Sequence, residues 1–173
     1  MHALILAAGF GTRLGPLGEQ VPKALLPIGS RRAIDFVLAA AEAVPQIRRV
    51  DVVGNQRFHA QLAAWAATSG ATRPLRVWND GARRPEERRG AIGDVAWWLK
   101  QVRPTEPVLV LASDNVFDFA LDELAEGGHP GNLGYFIEWL HVRTPVRGLL
   151  MEGRWIDVGT VEEHGRATRV FAP

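Results

Sequence analysis

The sequence predicts an α/β fold, a three-layer sandwich in which helices cover both faces of a mostly parallel central sheet. Two observations carry that expectation. Four short apolar runs, near residues 2–7, 49–53, 75–78 and 108–112, alternate with segments whose apolar residues recur at helical spacing. A glycine-rich turn, Gly9-Phe10-Gly11, directly follows the first run. In such a sheet ligands bind beyond the carboxyl ends of the strands. Residues 9–13, Asp80, Gly81 and Asp114 all lie just past expected strand ends, so they should converge on one rim.

The elements follow in order. Residues 3–7 (Ala-Leu-Ile-Leu-Ala) have the unbroken apolar character of a buried strand. Residues 31–44 read as a helix with Ile34, Val37, Leu38 and Ala41 on one face. Residues 49–53 form a second strand. Phe58, Leu62, Trp65 and Ala66 mark a second helix, and residues 75–78 a third strand. Ile92, Val95, Ala96 and Leu99 mark a third helix, ahead of a fourth strand at 108–112. Trp97 and Trp98 stand about 100° apart around that helix, so one packs inside while the other is partly exposed, lines a base pocket or marks a subunit contact. Thr160 can cap a last helix, with Glu163 completing a capping box.

Composition narrows the class. A chain of 173 residues is one domain by length, able to bury about 70% of its unfolded surface. A net charge of +1 supplies no bulk field for nucleic acid or anionic membrane. There is no cysteine, hence no disulfide or thiol chemistry. The five histidines show no metal-ligand spacing. The N-terminus lacks a basic start, and no apolar stretch approaches the roughly 18 residues of a membrane span. The expectation is a cytoplasmic protein with neither nucleic acid nor membrane as partner.

The glycine turn invites four readings. A dinucleotide fingerprint needs G-x-G-x-x-G, but Leu14 occupies the sixth position and no acidic residue closes the second strand. A P-loop needs G-x-x-x-x-G-K-[ST], which the chain lacks. A glycine loop whose backbone N–H groups cradle phosphate remains, beside a plain tight turn with surface cations. Arg13 offers a planar fork for phosphate oxygens and Lys23 a compact charge. Pro22 and Pro27 keep the chain around Lys23 out of helix. A nucleoside triphosphate needs such a loop with two cations.

The segment LAAGFGTRLGPL, followed by VPKALLPIG, resembles the signature of the sugar-1-phosphate nucleotidylyltransferases, which include glucose-1-phosphate thymidylyltransferase. Further segments agree in the family's order. GAIGDVAWWL resembles the glycine-opened helix after its third strand. VLVLASDNVFDF resembles the strand ending in a metal-binding aspartate, and GRWIDVGTVEEHGRA its C-terminal segment with a second one. The resemblance implies a Rossmann-like sandwich of the glycosyltransferase-A-like nucleotidyltransferase type. It implies one domain over 1–173, with a core at 1–126, a linker at 127–132 and a C-terminal segment at 133–173.

The resemblance also implies the site. Leu6, Ala7, Ala8, Gly9, Gly11, Thr12, Arg13, Gly81, Gly90 and Asp114 would bind nucleotide, with Arg13 and Lys23 catalytic. Asp114 and Asp157 would share one Mg²⁺, a hard cation that takes one or two carboxylates plus phosphate oxygens. Read without the family, Asp114 is better taken as a turn or helix-cap residue, and Asp157 as a turn aspartate. The partners would be a nucleoside triphosphate and a small phosphorylated acceptor, in a chain that can form a homodimer.

Two segments stand apart. Residues 81–90, GARRPEERRG, read either as a solvated, self-paired loop or as a mobile flap whose Arg83, Arg84, Arg88 or Arg89 reaches the triphosphate, with Gly81 and Gly90 as hinges. The family's long sugar-gripping segment has no counterpart. Residues 118–128 resemble the helix that begins it, yet the chain runs straight on to LGYFIEWL, with no Glu-Lys-Pro and with Gly134-Tyr135 in another context. Three consequences follow: an open pocket for a small phosphate, a pocket completed by a partner subunit, or a nucleotide-binding remnant with a regulatory or interaction role.

Overall fold

The computed structural model describes residues 1–117 and 153–171. In chain order the elements are β1 (His2–Ala7), α1 (Pro16–Gln20), β2 (Pro27–Ile28), β3 (Arg31–Arg32), α2 (Ala33–Ala43), β4 (Arg49–Gly54), α3 (His59–Thr68), β5 (Leu75–Asn79), α4 (Gly90–Val102), β6 (Val108–Ala112), β7 (Asn115–Phe117), β8 (Trp155–Asp157) and α5 (Val161–Phe171). Short 3₁₀ turns lie at Thr12–Leu14, Lys23–Leu25 and Pro85–Glu87. The central sheet has the order β5-β4-β1-β6, and every pairing in it is parallel.

Three layers follow from the strand pleat. On one face Ala3, Ile5 and Ala7 of β1 meet Ile34, Val37, Leu38 and Ala41 of α2 and Leu62 and Trp65 of α3. On the other, Leu4, Ala8 and Val53 meet Trp98 of α4. A third cluster seats α5 through Ala167 on Leu14, Leu26, Ile28, Val116 and Ile156. Four parallel strands leave their carboxyl ends on one edge. The expected α/β sandwich is therefore observed.

Two elements differ from expectation. The helix expected over 31–44 begins at Ala33, because Arg31 and Arg32 pair with Ile28 and Pro27 in a short antiparallel ladder. Asp35, at the third helical position, accepts the Arg32 backbone N–H at 2.7 Å and so starts the helix there. Helix α4 is also turned from its aliphatic stripe. Ile92 and Leu99 are 51% and 41% exposed, while Asp94 and Trp98, one turn apart, face inward. The Trp98 indole Nε1 donates to Asp51 Oδ2 at 3.1 Å, and Arg49 holds that buried carboxylate at 2.8 Å. Trp97 meets Trp78 edge-on with 6.3 Å between ring centroids, so one tryptophan is core and its neighbour lies at the rim.

The expected helix at 118–128, the linker at 127–132 and the LGYFIEWL segment lie outside the described residues, as does the boundary at 126. Among the described residues no helix is long and apolar enough to cross a membrane.

Candidate active site

Strand β1 brings Leu6, Ala7 and Ala8 to the carboxyl edge, half-buried at Leu6 and buried at the two alanines. The chain then turns through Gly9, which is exposed, and Gly11, which is left-handed at φ 63°. This loop is anchored twice. The fully buried Asn55 donates from Nδ2 to the Ala8 carbonyl at 2.9 Å, while its Oδ1 accepts Phe58 N–H at 3.0 Å. On the other side the loop lies directly on α1, where a Cβ at Gly18 would stand 2.3 Å from the Gly11 carbonyl oxygen. Thr12 and Arg13 are exposed. Among the described residues nothing pairs with the Arg13 guanidinium, which is left to meet a ligand.

The two aspartates arrive from opposite ends of the chain. Beyond β6, Ser113 N–H donates to the Leu6 carbonyl at 3.1 Å, setting Asp114 beside the end of β1. Strands β7 and β8 pair antiparallel with Asn115 opposite Asp157, and Val158 N–H donates to the Asp114 carbonyl at 2.9 Å. That ladder brings Asp157 next to Asp114. Lys23, in the 3₁₀ turn after Pro22, donates from Nζ to Asp114 Oδ2, with side chains 19% and 21% exposed.

Charge is unbalanced here. Burial raises the Asp157 pKa above the ordinary carboxylate value, and the Asp114 charge raises it further; Lys23 opposes both. Asp157 Oδ1 is buried without a hydrogen-bond partner. Glu163 of α5 joins the group. Its Oε2 accepts Gly159 N–H at 2.9 Å, and its own N–H donates to Thr160 Oγ1 at 3.2 Å. The bonds from Thr160 and Gly159 hold Glu163 below its ordinary value, with Lys23 adding to the effect. Three carboxylates thus face one ammonium.

This set fits a hard divalent cation. The orphaned Asp157 Oδ1 lacks a partner that a cation would supply, and a cation would offset the repulsion between Asp157 and Asp114. Among the described residues no group of three or more histidine, cysteine or acidic side chains is arranged to hold a metal. Two carboxylates, completed by phosphate oxygens and water, match the way Mg²⁺ is usually held.

The β5–α4 loop is self-paired. Arg84 and Glu87 form an ion pair at 3.0 Å, and Glu87 also accepts Arg83 N–H at 2.8 Å. Arg89 donates from Nε and Nη2 to the Asp80 carbonyl at 3.1 and 2.9 Å. Gly81 and Gly90, left-handed at φ 89° and 73°, mark its ends. They share the carboxyl edge with the glycine loop, but β4 stands between β5 and β1. Behind the loop, Asp80 and Asp94 are 3% and 5% exposed. Burial, then the Asp80 charge, pushes Asp94 up to about 7. Two clefts of about 440 and 450 Å³ lie elsewhere, one lined by Arg32, Asp35 and Trp65, the other by His2, Arg49 and Arg76. Charge, rather than cavity size, singles out the rim at Lys23 and Asp114.

Sequence reasoning did not single out Asn55, Gly18 or the charge of Glu163. Asn55 directly follows an expected strand, which was a usable signal. The contacts of Gly18 had none, and the capping box expected at Thr160 and Glu163 did not reveal that Glu163 also faces Lys23.

A model of the MobA-like NTP transferase domain matches residues 3–139. The mannose-1-phosphate guanyltransferase of Debaryomyces hansenii is 30% identical over 73% of this chain and 34% of its own length. The 2-C-methyl-D-erythritol 4-phosphate cytidylyltransferase of Gloeobacter violaceus is 31% identical over 73% of this chain and 53% of its own. The chain thus spans between about a third and about half of these relatives. The UTP-bound UGPase from Acinetobacter baumannii superimposes with a TM-score of 0.71 at 13% identity, covering 97% of this chain and 92% of that one. At that identity the likeness concerns the fold.

Proposed function

The chain belongs to the MobA-like NTP transferase domain family, and from that premise we propose that it is a nucleotidyltransferase. It transfers a nucleoside monophosphate from a nucleoside triphosphate to the phosphate of a small acceptor, a sugar 1-phosphate or a similar monoester. An acceptor phosphate oxygen attacks the α-phosphorus, the bond from that phosphorus to the α–β bridging oxygen breaks, and pyrophosphate leaves with the electron pair. The carrying observation is the cluster of Lys23, Asp114 and Asp157 beside the glycine loop. The acceptor class draws support from two relatives whose names specify phosphorylated small molecules.

In this reading the protein positions and neutralises, which is most of the work in phosphoryl-type transfer. The backbone of residues 6–9, with Gly11 and Thr12, lies along the nucleotide, and Gly81 and Gly90 flank the base. Arg13, exposed and without a partner among the described residues, holds the leaving pyrophosphate. Lys23 turns from Asp114 to the α-phosphate and the attacking phosphate, so both anions share one charge. Asp114 and Asp157 would hold Mg²⁺, which supplies charge neutralisation and polarises the phosphate oxygens when bound. We place the reaction in the cytoplasm, where nucleoside triphosphates are supplied, and in a single domain.

The test is pyrophosphate release with Mg²⁺ across the common nucleoside triphosphates, paired with sugar 1-phosphates and small phosphate monoesters. An active pair identifies base and acceptor. Triphosphate-dependent thermal stabilisation without release for any pair favours a nucleotide-binding remnant. Neither response refutes both readings.

A further inference from the structure

A capping-box glutamate usually returns its carboxylate to the N–H of the cap residue itself. In α5 the cap is Thr160, whose N–H bears on the Glu163 carboxylate, and Glu163 Oε2 also accepts the N–H of Gly159, one residue earlier, at 2.9 Å. That bond places the carboxylate at the turn that follows Asp157. A Cβ at Gly159 would lie 2.9 Å from Glu163 Oε2 and 4.0 Å from Lys23 Nζ. The glutamate and the lysine therefore stand over the same glycine. Asp157, two residues before Gly159, keeps its buried Oδ1 unpartnered.

We infer that Glu163 is a positioning residue for the cation site, setting its affinity as well as capping α5; this rests on the nucleotidyl-transfer reading above. Two physical effects combine. The bond to Gly159 fixes the backbone of the turn from Asp157 to Thr160, so the Asp157 carboxylate is aimed before a cation arrives. The charge of Glu163 adds to those of Asp114 and Asp157, against which Lys23 supplies only one positive charge. The group is left with a negative excess that a divalent cation matches. A pure cap needs the hydrogen bonds but not the charge, and this separates the two roles.

The experiment titrates the full chain with MgCl₂ or MnCl₂ alone, without nucleotide, and follows its melting temperature. E163Q keeps the length of the side chain and an oxygen for Gly159 N–H, and removes the charge. Its cation-free melting temperature should stay within about 3 °C of wild type, while the cation concentration at half-maximal shift rises about threefold to tenfold. T160A removes the cap hydroxyl and keeps the charge, so it should lower the melting temperature and leave the cation midpoint in place. D157N should abolish the shift. If D157N abolishes the shift but E163Q titrates like wild type, Glu163 is a cap and the inference fails alone. If T160A moves the midpoint as far as E163Q does, helix order rather than charge sets the affinity, and the inference fails again. A wild-type chain that does not respond to either cation overturns the metal reading and this inference together.

Discussion

Asp94→Asn should flatten the pH dependence of stability. Asp94 sits on α4, 5% exposed, facing the equally buried Asp80, and each has one buried oxygen without a hydrogen-bond partner. Burial, followed by the Asp80 charge, moves Asp94 from 3.8 to about 7. The folded chain therefore holds this proton more tightly than the unfolded chain does. The stabilisation is complete below pH 3.8 and is lost as pH rises towards 7, because in that window the native state binds the extra proton. At ~1.4 kcal/mol per pH unit, the span from 5 to 7 corresponds to at most about 3 kcal/mol. The carboxylates held below their ordinary values, Glu87, Glu106 and Glu163, act at lower pH and leave this window alone. An asparagine carries no charge, and its amide donates to Asp80 at every pH. Urea melts read by tryptophan fluorescence at pH 5, 6, 7 and 8 provide the assay. Wild type should lose about 1–3 kcal/mol from pH 5 to 8, and D94N should lose much less and be the more stable chain at pH 8. Parallel curves for the two proteins, with the same slope, would refute the argument from burial and like charge.

Lys23→Ala should lower nucleotidyl transfer by at least a hundredfold, the scale of losing one preorganised charge at a reacting centre. Its melting temperature should move by only a few degrees, since the pair with Asp114 is partly solvated; turnover within tenfold of wild type would exclude the assigned role. Without cation, Asp157→Asn should melt at or above wild type, because it relieves repulsion by Asp114. Its cation requirement for pyrophosphate release should rise more than tenfold. Gly18→Ala and Gly9→Ala should part company. A Cβ at Gly18 meets the Gly11 carbonyl at 2.3 Å, whereas one at Gly9 meets nothing within 4 Å. Chemical denaturation should show G18A destabilised by about 1–3 kcal/mol and G9A nearly unchanged, while a thermal-shift titration with triphosphate should show G9A binding more weakly.

The alternation of apolar runs and helical stripes made the sheet legible, because strand and helix periods are local properties of the chain. The placement of residues 9–13, Asp80, Gly81 and Asp114 on one edge follows from that sheet: parallel strands end together. The orientation of α4 was not legible. Ile92 and Leu99 have the spacing of a core face, but the buried carboxylate of Asp51 on β4 needs a donor, and Trp98 supplies it. The 81–90 arginines carried two readings until the structure paired Arg84 with Glu87 and seated Arg89 on the Asp80 carbonyl. By itself the sequence determined the four strands of the central sheet and the helices that cover it, the carboxyl-edge rim, and the cations and acids from which a phosphate site can be built. Only the tertiary structure decided that Asp114 and Asp157 meet through the ladder of β7 and β8, that Lys23 pairs with Asp114 and interacts with Asp157 and Glu163, and that Asp80 and Asp94 face each other in the dark of the core. The reason is that hydrogen-bond donors and charges buried away from water must be matched in space, and partners distant in sequence leave no periodic trace by which to find them.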